Sequence, residues 1–282
     1  DIEKRLRGFT LGVSFSLERP EEIMALLGPS GCGKSMTLRC IAGIERPDAG
    51  RIVLGGRTLF DSEAKVDLPP QRRHVGYLFQ SYALFPTMTV EQNVLSGAFG
   101  ATREERLARA RREMAAMRLD GLERHRPREL SGGQQQRCAM ARILASDPEL
   151  VLLDEPASGL DPFQLKDFEK KILALSTYAA VILCTHQLEL AGRICSQHIL
   201  LHKGRQIAGG TRAELAERLY EDFGIEEDAA SDTLLFKTFE QYAGVTTREF
   251  RESAASESAG RNGSYSETPS SAVGAGQSEA GK

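Results

Sequence analysis

The chain has 282 residues and a formal net charge of −3, enough length for one large or two modest domains with a sizeable core. The slightly acidic balance argues against broad nucleic-acid binding, and no run reaches the roughly 18 apolar residues of a membrane span. The start is charged from its first residue, which excludes a secretory signal, and it lacks Met, so residues are expected to be missing from the front.

In chain order, Phe9, Leu11, Val13, Phe15 and Leu17 alternate with Thr10, Gly12, Ser14 and Ser16, which predicts a strand. The apolar run Ile23-Met24-Ala25-Leu26-Leu27 predicts a second. It leads into Gly28-Pro29-Ser30-Gly31-Cys32-Gly33-Lys34-Ser35, a full G-x-x-x-x-G-K-[ST] phosphate loop, and then a helix ending near Gly43. Glycines 28, 31 and 33 let the backbone turn tightly and approach phosphate oxygens. The loop N–H groups and the positive helix end then cradle the β and γ phosphates. Lys34 supplies charge to those oxygens, and the Ser35 hydroxyl can ligand Mg²⁺. Cys32, beside a lysine and a helix start, is expected to be a reactive thiolate that bound nucleotide shields. The other cysteines (Cys40, Cys138, Cys184, Cys195) lack metal-ligand spacing and read as reduced thiols.

Residues 47–50 read as a turn, 51–60 as a strand, and Pro69-Pro70 as a break before a strand at 75–79. The pattern from 90 to 130 is helical. Leu107, Ala110, Met114 and Met117 recur at helical spacing, which leaves Arg103, Arg106, Arg109, Arg111 and Arg112 on a solvated face. Leu130-Ser131-Gly132-Gly133-Gln134 opens a further helix. Ser131 can cap it, and Gly132 and Gly133 expose N–H groups at its positive end. That is an anion site with no lysine of its own, suited to a γ-phosphate delivered by another subunit. A strand at 150–153 ends in Asp154-Glu155, and buried carboxylates need partners, so the pair points at a metal–nucleotide site. Helix 165–176 and strand 180–184 continue the alternation of a parallel α/β sheet. Beyond 250 the Ser/Ala/Gly/Glu-rich composition predicts a disordered tail.

In this order and spacing, the phosphate loop, the Leu130–Gln134 segment and the strand ending in Asp154-Glu155 resemble the ATP-binding cassette (ABC) family over about residues 1 to 210. The resemblance implies an α/β fold: a P-loop NTPase core of mixed sheet flanked by helices, an antiparallel β subdomain and an α-helical signature subdomain. The expected layout is an ATPase domain over 1–215 with its helical part at about 90–147. A short helical extension over 216–250 and the disordered tail over 251–282 would follow. The implied cofactors are ATP and Mg²⁺. Glu155 would position or deprotonate the attacking water, and Asp154, Ser35 and Gln80 would hold Mg²⁺, partly through water. Gln80 also matches the family's metal-sensing glutamine. His186 matches the histidine that contacts the γ-phosphate, and Asp161, in Ser158-Gly159-Leu160-Asp161, matches a loop that crosses the dimer interface. Met36 stands where the family usually carries Thr, so a hydroxyl facing the α-phosphate is missing.

The family pattern further implies a head-to-tail homodimer with two ATPs at the interface, transmembrane permease subunits and an extracytoplasmic solute-binding protein. It places the chain peripherally on the cytoplasmic side of the cell membrane, with no nucleic acid bound. The compact start, Leu68-Pro69-Pro70-Gln71-Arg72-Arg73 and Leu84-Phe85-Pro86-Thr87-Met88-Thr89-Val90 resemble the ATPases of molybdate-type and related oxyanion importers. A soluble ABC ATPase acting on nucleic acid or ribosomes is the competing reading. Related cassettes stack adenine on an aromatic residue before the phosphate loop. Here Leu6 falls near that position and Phe9 is in phase with the core, so weak purine discrimination is expected.

Overall fold

The structure is a computed structural model that describes residues 1–19, 21–158, 160–231, 233–246, 248, 249 and 252. The charged start, which carries no strand signal, forms β1 (Ile2–Leu6), with Ile2 buried and Glu3 and Arg5 exposed. β1 pairs antiparallel with β2 (Phe9–Val13), Leu6 opposite Phe9. The alternation through Phe15 and Leu17 outruns the strand itself: beyond Val13, the Ser14 N–H donates to Gln206 Oε1.

β3 (Ile23–Leu27) is buried at every position, as an apolar run covered on both faces must be. The phosphate loop follows, and α1 (Lys34–Ala42) ends at Gly43, whose φ of 77° closes the helix in the left-handed region. The expected single strand at 51–60 is instead a hairpin, β4 (Ala49–Leu54) and β5 (Arg57–Asp61). Gly55-Gly56, both at positive φ, supply the two-residue turn that splits it. After the short β6 (Val66–Asp67) comes β7 (Val75–Leu78). The helical stretch resolves into α2 (Val90–Gly97), α3 (Arg103–Ala116) and α4 (Gly132–Leu144). On α3, Ala110 and Met114 are buried, while Arg109, Arg111 and Arg112 pair with Asp147, Glu91 and Glu113. β8 (Leu150–Asp154), α5 (Pro162–Leu175), β9 (Ala180–Thr185), α6 (Leu188–Ile194) and the hairpin β10 (Gln197–His202)/β11 (Arg205–Gly210) follow.

Among the described residues these strands form one sheet in the order β6-β5-β4-β1-β2-β11-β10-β3-β9-β8-β7. The half from β10 to β7 is parallel, and the half from β6 to β2 is antiparallel. Each face of the parallel half carries its own core. Ala25, Val151, Leu153 and Leu183 face the helices α2 to α6, whereas Met24, Leu26, Leu152 and Cys184 face α1. Arg73 is fully buried and ties the two regions together. Its guanidinium donates to the Cys40 and Ile41 carbonyls at the end of α1 (both 2.9 Å) and pairs with Asp67 (2.9 Å).

The last helices are α7 (Arg212–Phe223) and α8 (Leu234–Ala243). The boundary expected at 215/216 falls inside α7, whose Leu215 and Leu219 join the helix-side core together with Leu234, Leu235 and Phe239. The expected disordered tail lies outside the described residues, Glu252 excepted.

Candidate active site

The parallel strands bring the motifs together, because each ends at the same edge of the sheet. β3 runs into the phosphate loop, β7 into Gln80, β8 ends in Asp154 and leads to Glu155, and β9 leads to His186. With β3, β9, β8 and β7 adjacent in that order, four segments far apart in sequence form one row.

In the loop, Gly33 has a φ of 112°, and a Cβ there would sit 2.7 Å from Leu11 Cδ1. A Cβ at Gly28 would run into the Leu201 carbonyl, so the backbone approaches β10 as closely as a glycine permits. Lys34 is buried and its Nζ donates to the carbonyls of Gly28 (2.7 Å) and Pro29 (3.2 Å). Its ammonium therefore hangs over the loop, ready to exchange neutral carbonyls for phosphate oxygens. Met36 is half-buried against the core under the loop.

Cys32 departs from expectation. Its backbone belongs to the loop, but its side chain is buried, 3% exposed, in the core on the α1 side. The thiol lies against Gly28, where an added Cβ would come within 2.6 Å of Cys32 Sγ. We therefore expect maleimide to label Cys32 much faster in denaturant than in the native, nucleotide-free protein. Labelling at the rate of an exposed thiol would contradict this burial.

Asp154 is 5% exposed and held at both oxygens. Ser35 Oγ donates to Oδ1 (2.8 Å) and Tyr77 OH to Oδ2 (3.0 Å). Burial raises the carboxyl above its usual range, and the two hydroxyls pull it back only in part. Glu155 is also buried and adopts a φ of 49°, with its N–H bonded to the Cys184 carbonyl (3.0 Å). Its Oε2 lies 2.9 Å from His186 Nδ1, a close approach without hydrogen-bond alignment, and its Oε1 is a buried atom with no partner. The Gln80 Nε2 is a second buried polar atom without one. Orphaned buried groups are costly, and the orphaned Glu155 Oε1 follows the same strand end as Asp154, whose Oδ1 accepts from Ser35. Hydroxyl, carboxylate and amide oxygens are the hard donors that Mg²⁺ prefers, so this set fits that ion.

The Leu130–Gln134 segment stands apart. Ser131 caps α4, accepting from the Gln134 N–H (3.3 Å), while Gln134 Oε1 accepts from the Ser131 N–H (2.8 Å). Ser131 and Gly132 are exposed, and the segment belongs to a different element from the phosphate loop. Asp161 caps α5 through the N–H groups of Phe163 (2.9 Å) and Gln164 (2.8 Å) and is also exposed; its neighbour Gly159 lies outside the described residues.

Some contacts escape sequence reasoning. Gln136 is buried and donates from Nε2 to the Pro156 carbonyl (2.5 Å), tying α4 to the segment after β8. Arg142 on α4 donates to the carbonyls of Ala83 (2.7 Å) and Tyr82 (3.1 Å), both at positive φ just beyond Gln80. The signal for Tyr77 was its register: it pairs with Leu152, which puts it on the face of Asp154. That signal needs a pairing between strands some 70 residues apart, which no local pattern reveals.

Comparison with known proteins shows the family. The sequence profile described as ABC transporter matches residues 11–158. The L-cystine transport system ATP-binding protein TcyN of Escherichia coli is 38% identical over 76% of this chain and 90% of its own length. The spermidine/putrescine import ATP-binding protein PotA of Methylococcus capsulatus is 43% identical over 72% of this chain. The molybdenum import ATP-binding protein ModC of Brucella melitensis is 37% identical over 76%. The chain spans only 53% of that PotA and 59% of that ModC. Among solved structures, the dimeric post-hydrolysis cassette MJ0796 bound to ADP and Pi matches with a TM-score of 0.62 and 26% identity, over 74% of this chain and 96% of that one. An ATP-binding subunit of an ABC transporter matches with a TM-score of 0.70 and 26% identity, over 84% of this chain and 97% of that one.

Proposed function

The chain belongs to the ABC transporter family and hydrolyses ATP, and from that premise we propose that it drives a solute importer. It works as a head-to-tail homodimer with two ATPs at the interface. Each copy docks on the cytoplasmic face of the membrane against permease subunits that receive cargo from an extracytoplasmic binding protein. The observation that carries this reading is the separation of two half-sites: a phosphate loop with its acids on one sheet edge, and an exposed, lysine-free helix start at Ser131-Gly132-Gly133.

Bound Mg²⁺ would offset charge on the β and γ phosphates; Ser35, Asp154 and Gln80 would hold it, Asp154 partly through water. Lys34 leaves the Gly28 and Pro29 carbonyls for the phosphates. Glu155 accepts a hydrogen bond, then a proton, from the attacking water with its unpartnered Oε1. His186 lies beside Oε2 and faces the γ-phosphate. The partner copy's Ser131 hydroxyl and glycine N–H groups close over the γ-phosphate, and Asp161 lines the same interface. Positioning and charge stabilisation supply most of the rate.

Cargo is set by the permease, and the motifs at 68–73 and 84–90 favour an oxyanion such as molybdate. Among the described residues no helix is long and apolar enough to cross a membrane. The test is co-purification from membranes with a permease, followed by reconstitution. ATP hydrolysis stimulated by a molybdate-loaded binding protein supports the reading. Association with ribosomes or nucleic acid instead would favour the soluble alternative.

Base recognition gives a sharper prediction. The Phe9 ring packs over Gly33 and Gly204, committed to the protein, while Leu6 opposite it offers no aromatic face. Without a stack worth on the order of 1–3 kcal/mol, phosphate contacts dominate. GTP should be hydrolysed within roughly tenfold of ATP, about 1.4 kcal/mol, and Leu6→Trp should tighten nucleotide binding. An ATP preference above roughly a hundredfold that Phe9→Ala removes would make Phe9 the platform instead.

A further inference from the structure

Tyr77 is 8% exposed, and its ring packs against Phe79 at a centroid separation of 4.4 Å. Its hydroxyl donates to Asp154 Oδ2 (3.0 Å), and the other carboxylate oxygen is taken by Ser35 (2.8 Å). The two donors differ in what nucleotide asks of them. Ser35 sits at the start of α1 inside the phosphate site and must turn its hydroxyl away from Asp154 to serve as a ligand itself. Tyr77 lies behind the site in the core on the α1 side, with its hydroxyl on Asp154 Oδ2 and its ring among buried apolar side chains. Once Ser35 turns, Tyr77 is the remaining side-chain donor to a carboxylate that is otherwise buried.

We propose that Tyr77 is a positioning residue for Asp154, fixing Oδ2 so that Oδ1 stays aimed at the space Ser35 vacates. It acts through strand geometry as well as through its hydrogen bond. Tyr77 stands three residues before Gln80 on β7, and Asp154 ends the neighbouring β8, with Tyr77 in register with Leu152. The hydrogen bond adds a side-chain tie to the parallel ladder of β7 and β8, close to where β8 ends in Asp154 and β7 leads to Gln80. Groups that orient a metal-holding side chain typically change metal affinity by about 10- to 100-fold. The inference rests on the reading of Asp154 as a holder of Mg²⁺.

The test measures binding of a fluorescent ADP analogue in EDTA and across a Mg²⁺ titration, for wild type, Tyr77→Phe and Asp154→Asn. Tyr77→Phe should keep its metal-free affinity within about twofold of wild type and need roughly tenfold more Mg²⁺ for half-maximal effect. Tyr77→Met, which also keeps apolar bulk without a hydroxyl, is read in the same way. An unchanged Mg²⁺ requirement overturns the proposal. So does a parallel loss of metal-free affinity, which would make Tyr77 a strut for the fold. Asp154→Asn separates the premise: it should abolish the Mg²⁺ response. If it responds like wild type, the metal-holding role of Asp154 fails, and the role of Tyr77 fails with it.

Discussion

Glu155→Gln is expected to lower steady-state ATP hydrolysis by roughly 10²- to 10⁴-fold while leaving nucleotide binding intact. Glutamine keeps the size and one oxygen of the side chain but cannot take a proton from water. The residues proposed to hold phosphate and metal lie elsewhere: Lys34, now over the loop carbonyls, and Ser35 with Asp154 at 2.8 Å. Removing a buried carboxylate should also spare the fold, since Glu155 Oε1 has no partner to lose. ATP-bound dimers should accumulate, because the step that dissolves them is blocked. Steady-state rates, together with size-exclusion chromatography in MgATP, check both parts. Wild-type turnover in this variant would remove Glu155 as the base.

Ser131→Arg should cut hydrolysis by on the order of 10²- to 10³-fold, the cost of losing a donor aimed at developing charge, yet spare nucleotide binding by the single chain. The residue is exposed and caps α4, so the variant loses about 1 kcal/mol of helix capping and adds bulk where the proposed dimer seats a partner's phosphate. Its effect therefore falls on a nucleotide held by another copy. Tight binding with lost turnover separates that outcome from Lys34→Ala, which should weaken nucleotide binding itself.

Much of this site was legible because its chemistry is local. The phosphate loop, the Leu130–Gln134 segment and Asp154-Glu155 are each contiguous, and each sits where the sequence placed it relative to a strand or helix. What escaped depends on distant pairing or on backbone sign. β1 was hidden because Lys4 stands between Ile2 and Leu6 on the inner face, so the apolar alternation is broken and charged residues dominate its composition. The β4/β5 hairpin was read as one strand because Gly55-Gly56 interrupts an otherwise continuous pattern by only two residues. The Cys32 thiol turns inward against Gly28, which neighbouring charges do not report. Tyr77, Gln136 and Arg142 reach partners across 77, 20 and about 60 positions, beyond any local period.

The central claim is that hydrolysis occurs at sites shared between two copies, and mixing two inactive variants tests it most directly. Lys34→Ala lacks a working phosphate loop, and Ser131→Arg lacks a working cap. In a heterodimer both defects fall in one composite site, and the other site pairs an intact loop with an intact Ser131. A 1:1 mixture forms about half heterodimers, each with one of two sites intact, so activity should recover to about a quarter of wild type. Recovery should fade on dilution as the dimers dissociate. A mixture that stays as inactive as its components, beside a wild-type chain whose rate per molecule is unchanged at any dilution, would contradict the shared site.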